Sequence, residues 1–378
     1  MRIAICSDAW APQVNGVVRT LRTTAAEVVA RGHVVDMVTP DLFRTVPCPS
    51  YPEIRLALGC GRAVARTLSA ADPDAVHIAT EGPIGWAARR WCIDRGMPFT
   101  TSFHTRFPDY VALRTRLPAD WFWPLLRRFH GAAANVLAAT ARLEDELHGR
   151  GIVRTHRWSR GVDLSLFTPG DAVPAALADL PRPFLLHVGR VAVEKNIGAF
   201  LDVDRPGTKI VVGDGPALAT LRGAHPDVLF LGALHGPELA AVYRAADVLV
   251  FPSRTDTFGL VMVEALASGV PVAGHPVQGP LDVVGIEGAG LNGGTRQIGA
   301  LDEDLGVAID RAMGADREAC ADYGRGFSWA ASTDQFLAGL RPRNRLPTDA
   351  VPLRRRTRRP AAMPVRRPAF AKDSAKPA

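Results

Sequence analysis

Short apolar segments alternate with amphipathic segments of helical length along most of this chain, and the alternation runs in two series. In the first series, the apolar runs Ile3–Cys6 and His33–Thr39 flank a helical pattern at Gly16–Arg31. A second series begins at Phe184–Val188, after a linker-like segment at 169–183 that is rich in proline and small residues. Strands that alternate with helices favour parallel, doubly wound sheets. The pattern therefore predicts an α/β fold in which two such halves face a central cleft.

The remaining predicted elements continue the alternation. The other predicted strands are Ala75–Ile78, Phe99–Phe103, Asn135–Ala138, Lys209–Val212, Val228–Leu231, Val248–Phe251 and Val270–Ala273. The other predicted helices are Ile84–Arg95, Trp121–Ala133, Pro216–Gly223, Gly236–Ala245, Phe258–Ser268 and Ser328–Leu340. We divide the chain into domains at 1–170 and 171–327, a helix at 328–340 that we expect to return toward the first domain, and a tail at 341–378.

The basic residues of the chain are concentrated in this tail. The net charge is +7, yet Arg341–Ala378 alone holds twelve Lys or Arg and two Asp or Glu, so the preceding residues are mildly acidic. The tail is rich in proline and arginine and has one aromatic residue, Phe370, so we expect it to be disordered. Its charge would attract nucleic acid, which leaves a nucleic-acid-binding protein as one alternative. Because the body is acidic and has no recognition motif, we expect no nucleic-acid partner.

Several other classes of protein are excluded. The sequence has no run of about 18 apolar residues, so no membrane-spanning helix is predicted. The N-terminus also lacks the apolar region of a signal peptide. The cysteines are scattered without zinc or redox spacing, which indicates reduced thiols in the cytoplasm. They are Cys6, Cys48, Cys60, Cys92 and Cys320. Asp202-Val-Asp204 precedes a turn and is predicted to be a solvated loop, so no metal site is expected.

The strongest functional signal is the segment Asp256-Thr-Phe-Gly-Leu-Val-Met-Val-Glu264, directly after the predicted strand Val248–Phe251. A loop containing Thr257 leads into a helix predicted to start near Phe258. Free backbone N–H groups and the positive end of the dipole at a helix start favour a diphosphate. Gly259 would let the backbone approach that ligand closely.

Two side chains of this helix are predicted to face the same ligand. Leu260 and Glu264 are four residues apart and share a helix face. A carboxylate at Glu264 suits a ribose diol, as the acidic residue of dinucleotide-binding folds does. The alternative, a solvated helical glutamate, is disfavoured by its apolar neighbours.

A second signal is Gly189-Arg190-Val-Ala-Val-Glu-Lys195, which follows the predicted strand Phe184–Val188. Arg190 offers a planar fork of donors and Lys195 a point charge, and together they can hold a diphosphate. These cations would also stabilise a departing diphosphate as its charge grows. The alternative is a solvated cluster of loop charges.

These two motifs, in this order and about 60 residues apart, resemble glycosyltransferase family 4. The resemblance extends from residue 1 to about residue 340. It implies the GT-B fold, with two Rossmann-like domains of which the first binds the acceptor and the second the nucleotide sugar. It also implies retention of anomeric configuration, no metal and no cofactor besides the sugar-nucleotide substrate.

Further residues are similar to the family's motifs. Asn15-Gly16-Val17 resembles the glycine turn that admits the donor phosphates, and Gly213-Asp-Gly215-Pro216 resembles the glycine turn of the second domain. Phe230-Leu-Gly-Ala-Leu234 is similar to the strand that ends at the nucleobase, which implies a donor contact at Leu234. Thr101-Ser-Phe-His104-Thr105 is similar to the strand end whose histidine faces the donor sugar. Arg160-Gly-Val-Asp163 is similar to the link toward the second domain.

One position departs from the family, because Asp256 stands where a glutamate is common. Aspartate is one methylene shorter and is still expected to reach the sugar hydroxyls, since the spacing to Glu264 is intact. We assign His104 to sugar binding and orientation, against the alternative of a structural histidine. Arg190, Lys195, His104 and Asp256 are thus the predicted catalytic residues, and no protein nucleophile is expected.

The resemblance implies transfer of a mannosyl, glucosyl or glucuronosyl group from a UDP- or GDP-sugar to a hydroxyl. A sugar-nucleotide 2-epimerase of the same fold remains an alternative. For the acceptor, Phe107–Tyr110, Arg114, Arg116 and Trp121–Arg128 combine aromatic and basic residues, as do membrane-interface segments. Similarity to sulfoquinovosyl, mannosyl and glucuronosyl lipid transferases suggests a lipid such as diacylglycerol, at the inner face of an anionic membrane; a core helix with aromatic packing is the alternative.

Overall fold

The computed structural model describes residues 1–13, 15–48, 51–104, 108, 117–291 and 293–343, with only the backbone at 51–54. The tail from residue 344 onward lies outside these residues. So do Phe107, Asp109–Tyr110, Arg114 and Arg116 of the proposed acceptor segment.

Six parallel strands form the first sheet, in the order β2-β1-β5-β6-β7-β8. A separate antiparallel hairpin, β3-β4, lies between β2 and β5 in the chain. These strands are β1 (Arg2–Cys6), β2 (Val34–Val38), β3 (Val46–Cys48), β4 (Tyr51–Leu56), β5 (Ala75–Ile78), β6 (Phe99–Ser102), β7 (Asn135–Ala138) and β8 (Thr155–Arg157). In register, Ile3 lies between Val35 of β2 and Ala75 of β5.

The second sheet also has six parallel strands, in the order β11-β10-β9-β12-β13-β14. They are β9 (Phe184–Val188), β10 (Thr208–Val212), β11 (Leu229–Gly232), β12 (Val248–Phe251), β13 (Val272–Gly274) and β14 (Gly299–Leu301). Every residue of β9 and β12 is buried. Such continuous apolar burial is typical of parallel strands covered by helices on both faces. The predicted α/β class with two doubly wound sheets is confirmed.

Helices connect the strands. They are α1 (Gly16–Ala30), α2 (Gly61–Ala71), α3 (Pro83–Asp94), α4 (Trp123–His130), α5 (Ala141–Gly149), α6 (Ile197–Leu201), α7 (Leu218–Ala224), α8 (Gly236–Ala245), α9 (Leu260–Ala267), α10 (Gln278–Val283), α11 (Leu305–Ala312), α12 (Arg317–Arg325) and α13 (Trp329–Gly339). Short 3-10 turns occur at Pro40–Leu42, Ala119–Phe122, Ala175–Leu177 and Val193–Lys195. Among the helices of the described residues, none has the length and apolar character needed to cross a bilayer.

The C-terminal helix α13 packs on the first sheet although it follows the second in the chain. It lies against α1, where Arg31 Nη2 donates to the carbonyl of Ala330 at 2.8 Å. At its other end, Asn135 Nδ2 of β7 donates to the carbonyl of Gly339 at 2.6 Å. Residues Met1–Arg343, which contain both sheets, form one compact unit.

Several predicted helix boundaries differ from the structure, and a proline and a glycine explain two of them. The helix expected at Trp121–Ala133 is a 3-10 turn followed by α4, because Pro124 lacks an N–H and fits the first turn of an α-helix. The helix expected from Phe258 begins at Leu260, because Gly259 has a φ of +87°, outside the helical region.

Candidate active site

The predicted motifs lie at the point where the strand order of each sheet reverses direction. In the second sheet, the chain moves from β9 outward to β10 and β11, then returns to add β12 on the other side of β9. Ligands of doubly wound sheets bind beyond the carboxyl ends of strands at such a switch point. The segments after β9 and β12 carry Lys195 and Asp256, so both motifs stand at this position. In the first sheet, β1 and β5 flank the corresponding reversal.

Lys195 and Asp256 form a two-pronged ion pair at this switch point. Lys195 Nζ lies 2.6 Å from Asp256 Oδ1 and 2.8 Å from Oδ2, and both side chains are about three-quarters buried. Burial acts to raise the pKa of Asp256. The Lys195 ammonium and a hydrogen bond from Ser253 nevertheless hold that pKa below its usual value. Asp256 is therefore a carboxylate at neutral pH, with Lys195 as its ion-pair partner.

The loop that carries Lys195 is anchored to the loop that carries Asp256. Val193–Lys195 forms a 3-10 turn closed by Asn196, which adopts a left-handed conformation with φ of 53°. Asn196 Nδ2 donates to the carbonyl of Pro252 at 3.1 Å. Asparagine tolerates this conformation better than most residues. The ammonium is thus held at a fixed distance from the β12 loop.

The glycine turn at Gly213–Gly215 serves close backbone packing. A Cβ built on Gly213 would lie 1.8 Å from the carbonyl oxygen of Gly189, and one on Gly215 would lie 2.3 Å from that of Val191. The segment after β10 therefore lies directly against the segment that carries Arg190. Arg190 itself is half-buried in this turn.

The starts of two helices meet across the cleft. A Cβ on Gly16, the first residue of α1, would lie 3.5 Å from Leu260 Cδ1 at the first residue of α9. The N–H groups of Val17 and Val18 are taken by the side chain of Asn15, which caps α1. The predicted residues Gly16 and Leu260 are therefore neighbours although they belong to different sheets.

Gly259 is constrained by its surroundings as well as by its dihedral angle. A Cβ there would lie 2.8 Å from Met262 Cε and 2.9 Å from Phe251 Cζ. The side chain of Phe258 is buried in the core and lies edge-on to Phe327, with ring centroids 6.0 Å apart. Phe258 thus leaves only its backbone for the predicted diphosphate contact.

Glu264 is almost fully buried, with 2% exposure, and both its carboxylate oxygens have partners. Tyr243 Oη of α8 donates to Oε2 at 2.9 Å, and Arg19 Nη1 of α1 donates to Oε1. Burial raises the pKa of Glu264, while Arg19 and Tyr243 oppose that shift. The predicted ribose ligand Glu264 is therefore the centre of a three-residue network that joins the two sheets.

His104 lies just beyond β6 and is buried beside Arg160. Arg160 Nη2 donates to His104 Nδ1 at 3.0 Å, and the ring meets Trp158 edge-on. Burial and the Arg160 guanidinium hold the pKa of His104 well below its usual value. Because arginine only donates, Nδ1 is the acceptor and the proton of the neutral ring sits on Nε2. That Nε2 is buried and has no hydrogen-bond partner among the described residues.

Thr257 connects the two halves of the site. Its Oγ1 donates to the backbone carbonyl of His104 at 2.8 Å. The loop that holds Asp256 is thereby joined to the strand end that holds His104. Leu234, the remaining predicted donor residue, is half-buried in the loop after β11 and packs against the core of the second sheet.

Arg19, Tyr243 and Ser253 were absent from the predicted site, as were Asn196 and Arg160, which bond the β12 loop and His104. Arg19 is the fourth residue of α1, three positions after Gly16, and that proximity was the available signal. Tyr243 and Ser253 had no distinguishing pattern. Within the described ranges, no group of three His, Cys, Asp or Glu side chains is placed to hold a metal ion.

Two family models match the sequence. The one described as Glycosyltransferase Family 4 matches residues 14–166, and the one described as Glycosyl transferases group 1 matches residues 182–301. A GDP-mannose-dependent alpha-mannosyltransferase of Mycobacterium tuberculosis (strain CDC 1551 / Oshkosh) is 30% identical, over 89% of this chain and 95% of the relative. An alpha-monoglucosyldiacylglycerol synthase of Streptococcus pneumoniae (strain ATCC BAA-255 / R6) is 29% identical, over 73% of this chain and 71% of the relative.

Solved structures share the fold. Sucrose-phosphate synthase (tll1590) from Thermosynechococcus elongatus superposes with a TM-score of 0.69 and 22% identity, over 89% of this chain and 97% of that chain. The relatives give no support to the alternative of a sugar-nucleotide 2-epimerase. Three observations indicate the same family. They are the two doubly wound sheets, the motifs at their switch points, and a 30% identical relative that is matched over nearly its whole length. The chain therefore belongs to the family 4 glycosyltransferases and has their GT-B fold.

Proposed function

We propose that this glycosyltransferase moves a hexosyl group from a GDP- or UDP-sugar to the hydroxyl of a membrane lipid, with retention of anomeric configuration and without a metal. The observation that carries the proposal is the Lys195–Asp256 ion pair at the switch point, joined through Thr257 to His104 on the opposite sheet. GDP-mannose is the donor we favour, because the mycobacterial relative is named for it. The transferred group would then be mannosyl.

The donor diphosphate would be held by cations and by a helix start. Lys195 supplies a positive point charge. In the structure this charge is paired with Asp256, and a donor phosphate would compete with that carboxylate for the ammonium. Arg190 approaches from the preceding turn, and the start of α9 at Leu260 adds backbone N–H groups. Gly16 lets the start of α1 lie close to the same phosphates. These groups stabilise the charge that develops on the leaving diphosphate.

Transfer needs no nucleophile from the protein in this scheme. The bond between the anomeric carbon and the phosphate oxygen stretches, and positive charge develops on the sugar. The acceptor hydroxyl attacks from the face that the phosphate leaves, so the configuration is retained. The acceptor proton passes to the departing phosphate oxygen, and a nucleoside diphosphate is released.

His104 and Asp256 would orient the sugar. The neutral ring of His104 carries its proton on Nε2 and can donate to a sugar oxygen but is a poor base, because its pKa is held low by burial. Asp256 can accept from a sugar hydroxyl once the diphosphate has engaged Lys195. Both residues then act on the ring that must flatten in the transition state.

The lipid acceptor is supported by an exposed apolar surface, which we define by Trp121, Leu125 and Val153. Their exposures are 67%, 46% and 70%. Trp121 lies in the 3-10 turn that precedes α4, and Leu125 lies in the first turn of α4. The loop of Val153 packs beside α4, where Arg154 Nη2 donates to the carbonyl of Gly131. Aromatic and aliphatic tips next to arginine suit the surface of an anionic bilayer. The relative named as a glucosyldiacylglycerol synthase is consistent with that acceptor class.

The test measures nucleotide release from GDP-mannose, UDP-glucose and UDP-glucuronate, with and without diacylglycerol in anionic vesicles. We expect release with one donor that depends on the lipid, and an α-anomer in the product by NMR. Lys195→Ala should abolish release, whereas Arg90→Ala, at a side chain that is 85% exposed, should leave it unchanged. EDTA should have no effect. Absence of nucleotide binding in the unmodified protein would contradict the proposal.

A second experiment isolates the lipid surface. Trp121→Ala combined with Leu125→Ala should weaken binding to anionic vesicles, while hydrolysis of the donor by water is retained. Ile286→Ala, which removes an apolar side chain that is 69% exposed in the second half, is the matched control. Equal vesicle binding by the double variant and the control would rule out this surface as the docking site.

A further inference from the structure

Arg19 covers the one carboxylate that is expected to bind ribose. Its Nη1 donates to Glu264 Oε1, and Tyr243 holds Oε2, so both oxygens of Glu264 are engaged. With 2% exposure, Glu264 offers almost no surface to any molecule entering the cleft. Tyr243 is fully buried and packed edge-on to Phe167, so it is fixed in place.

Arg19 differs from Tyr243 in its freedom to move. Its side chain is 39% exposed, and its guanidinium lies 5.7 Å from the centre of the Phe167 ring. It also lines a cavity of about 430 Å³ between α1, the link at Val162–Leu164 and the start of α13. Water can solvate the partly exposed Arg19 guanidinium when it leaves the pair, whereas the buried Glu264 carboxylate then needs another hydrogen-bond donor.

That cavity contains other partners for the guanidinium. Asp163 lies on its wall, and Glu27 lies two turns along α1 from Arg19. Asp163 and Glu27 are therefore the acidic side chains that line the same cavity as Arg19, and they are the candidates to receive its guanidinium if it leaves Glu264.

We propose that Arg19 is a displaceable positioning residue, which holds the Glu264 carboxylate in place and is replaced there by the ribose hydroxyls of the nucleotide. The hydroxyls take over the Oε1 position, and the guanidinium turns toward Asp163 and Glu27. Nucleotide affinity then includes the cost of breaking the Arg19–Glu264 pair. This inference rests on the proposed function, and on the prediction from the sequence that Glu264 binds the ribose of the nucleotide-sugar donor.

The experiment measures dissociation constants of GDP and UDP by calorimetry for the unmodified protein, Arg19→Ala, Arg19→Gln and Arg22→Ala. Arg22 is an exposed residue on the same helix and serves as the matched control. We expect Arg19→Ala to bind the better of the two nucleotides about fivefold more tightly, because the ribose hydroxyls no longer compete with the guanidinium for Glu264 Oε1. Arg19→Gln keeps N–H donors without the charge, should behave likewise, and serves if the alanine variant folds poorly.

The 2′,3′-dideoxy form of the same nucleotide tests the displacement of Arg19 separately from the binding of ribose by Glu264. The tightening should disappear with this ligand, because it has no hydroxyls to replace Arg19. In thermal unfolding, Arg19→Ala should melt at a lower temperature without nucleotide and show a larger upward shift with it. Unchanged or weaker binding of the ribonucleotide by both Arg19 variants would overturn the inference. If the dideoxy form binds the unmodified protein as well as the ribonucleotide does, the assignment of Glu264 to ribose fails instead.

Discussion

Thr140 Oγ1 of the first half donates a hydrogen bond of 2.6 Å to Asp282 Oδ2 of the second half, where that carboxyl is buried. Arg142 Nε lies 3.5 Å from the other carboxyl oxygen. Burial raises the pKa of Asp282 to about 6, although Thr140, Arg142 and Arg157 oppose the shift and Asp145 adds to it. A contact between the two halves is thus linked to a protonation near neutral pH.

This linkage predicts a pH-dependent stability. An ordinary aspartate titrates near pH 4, so between about pH 4 and 6 the folded chain holds a proton that the unfolded chain releases. The contribution of Asp282 therefore favours folding at low pH and is lost as the pH rises through about 6. Asp282→Asn should remove it. We expect the variant to gain stability relative to the unmodified protein between pH 4.5 and 7, measured by urea unfolding, and a constant difference would contradict this assignment.

Asp256→Asn should separate binding from transfer. The substitution removes the carboxylate that shares Lys195, so GDP or UDP should bind as tightly as before or more so. Transfer should fall about 10-fold or more, because an interaction with the sugar is lost. Asp256→Glu preserves the negative charge and should therefore keep the ion pair with Lys195, which Asp256→Asn removes. Nucleotide affinity and kcat of Asp256→Asn should be measured in parallel. A fall in both would contradict the assignment of Asp256 to the sugar.

His104 should contribute no ionisation to the rate profile. Burial and Arg160 hold the pKa of His104 low, so its ring stays neutral above that pKa and is charged only in stronger acid. His104→Gln, which keeps an N–H donor, should be slower than the unmodified enzyme with the same shape of kcat/KM between pH 6 and 8. The loss of a limb from that profile in the variant would instead identify His104 as a proton carrier.

Gly213→Ala should be destabilising. The added Cβ would meet the Gly189 carbonyl oxygen at 1.8 Å, and Gly213 has a φ of +142°. A cost of about 1–3 kcal/mol is expected for overpacking of this kind. Gly223→Ala is the matched control, because its Cβ would meet nothing within 4 Å on a helix, where alanine is favoured by about 1 kcal/mol. Urea unfolding of both variants should give changes of opposite sign.

Much of the architecture was predictable because it depends on local pattern. The strands Val248–Phe251 and Ala75–Ile78 have the boundaries that their continuous apolar residues predict. A glycine-containing turn after an apolar run likewise marks the carboxyl end of a strand. The strands Thr155–Arg157 and Gly299–Leu301 escaped prediction because three residues are too few to show a periodic pattern. The hairpin β3-β4 interrupts the alternation and was missed as well.

The site was predictable only where its residues follow strands. Lys195 and Asp256 could be placed near each other because β9 and β12 meet at a switch point. The pairing of Arg19 with Glu264 joins residues 245 positions apart and depends on how two sheets face each other. No local pattern encodes that orientation. The burial of Phe258 was hidden for the same reason, since its partner Phe327 lies in the segment before α13.

The chain passes between the two sheets twice, and the two passages lie side by side. The N–H of Val162 in the first donates to the carbonyl of Phe327 at the end of the second, at 2.9 Å, and Val162 pairs with Ser328 as a parallel bridge. A Cβ built on Gly161 would lie 2.6 Å from Trp329, so the two connecting segments are packed against each other. Any relative motion of the two sheets must therefore either carry this bonded pair of connections along or break the hydrogen bond between Val162 and Phe327.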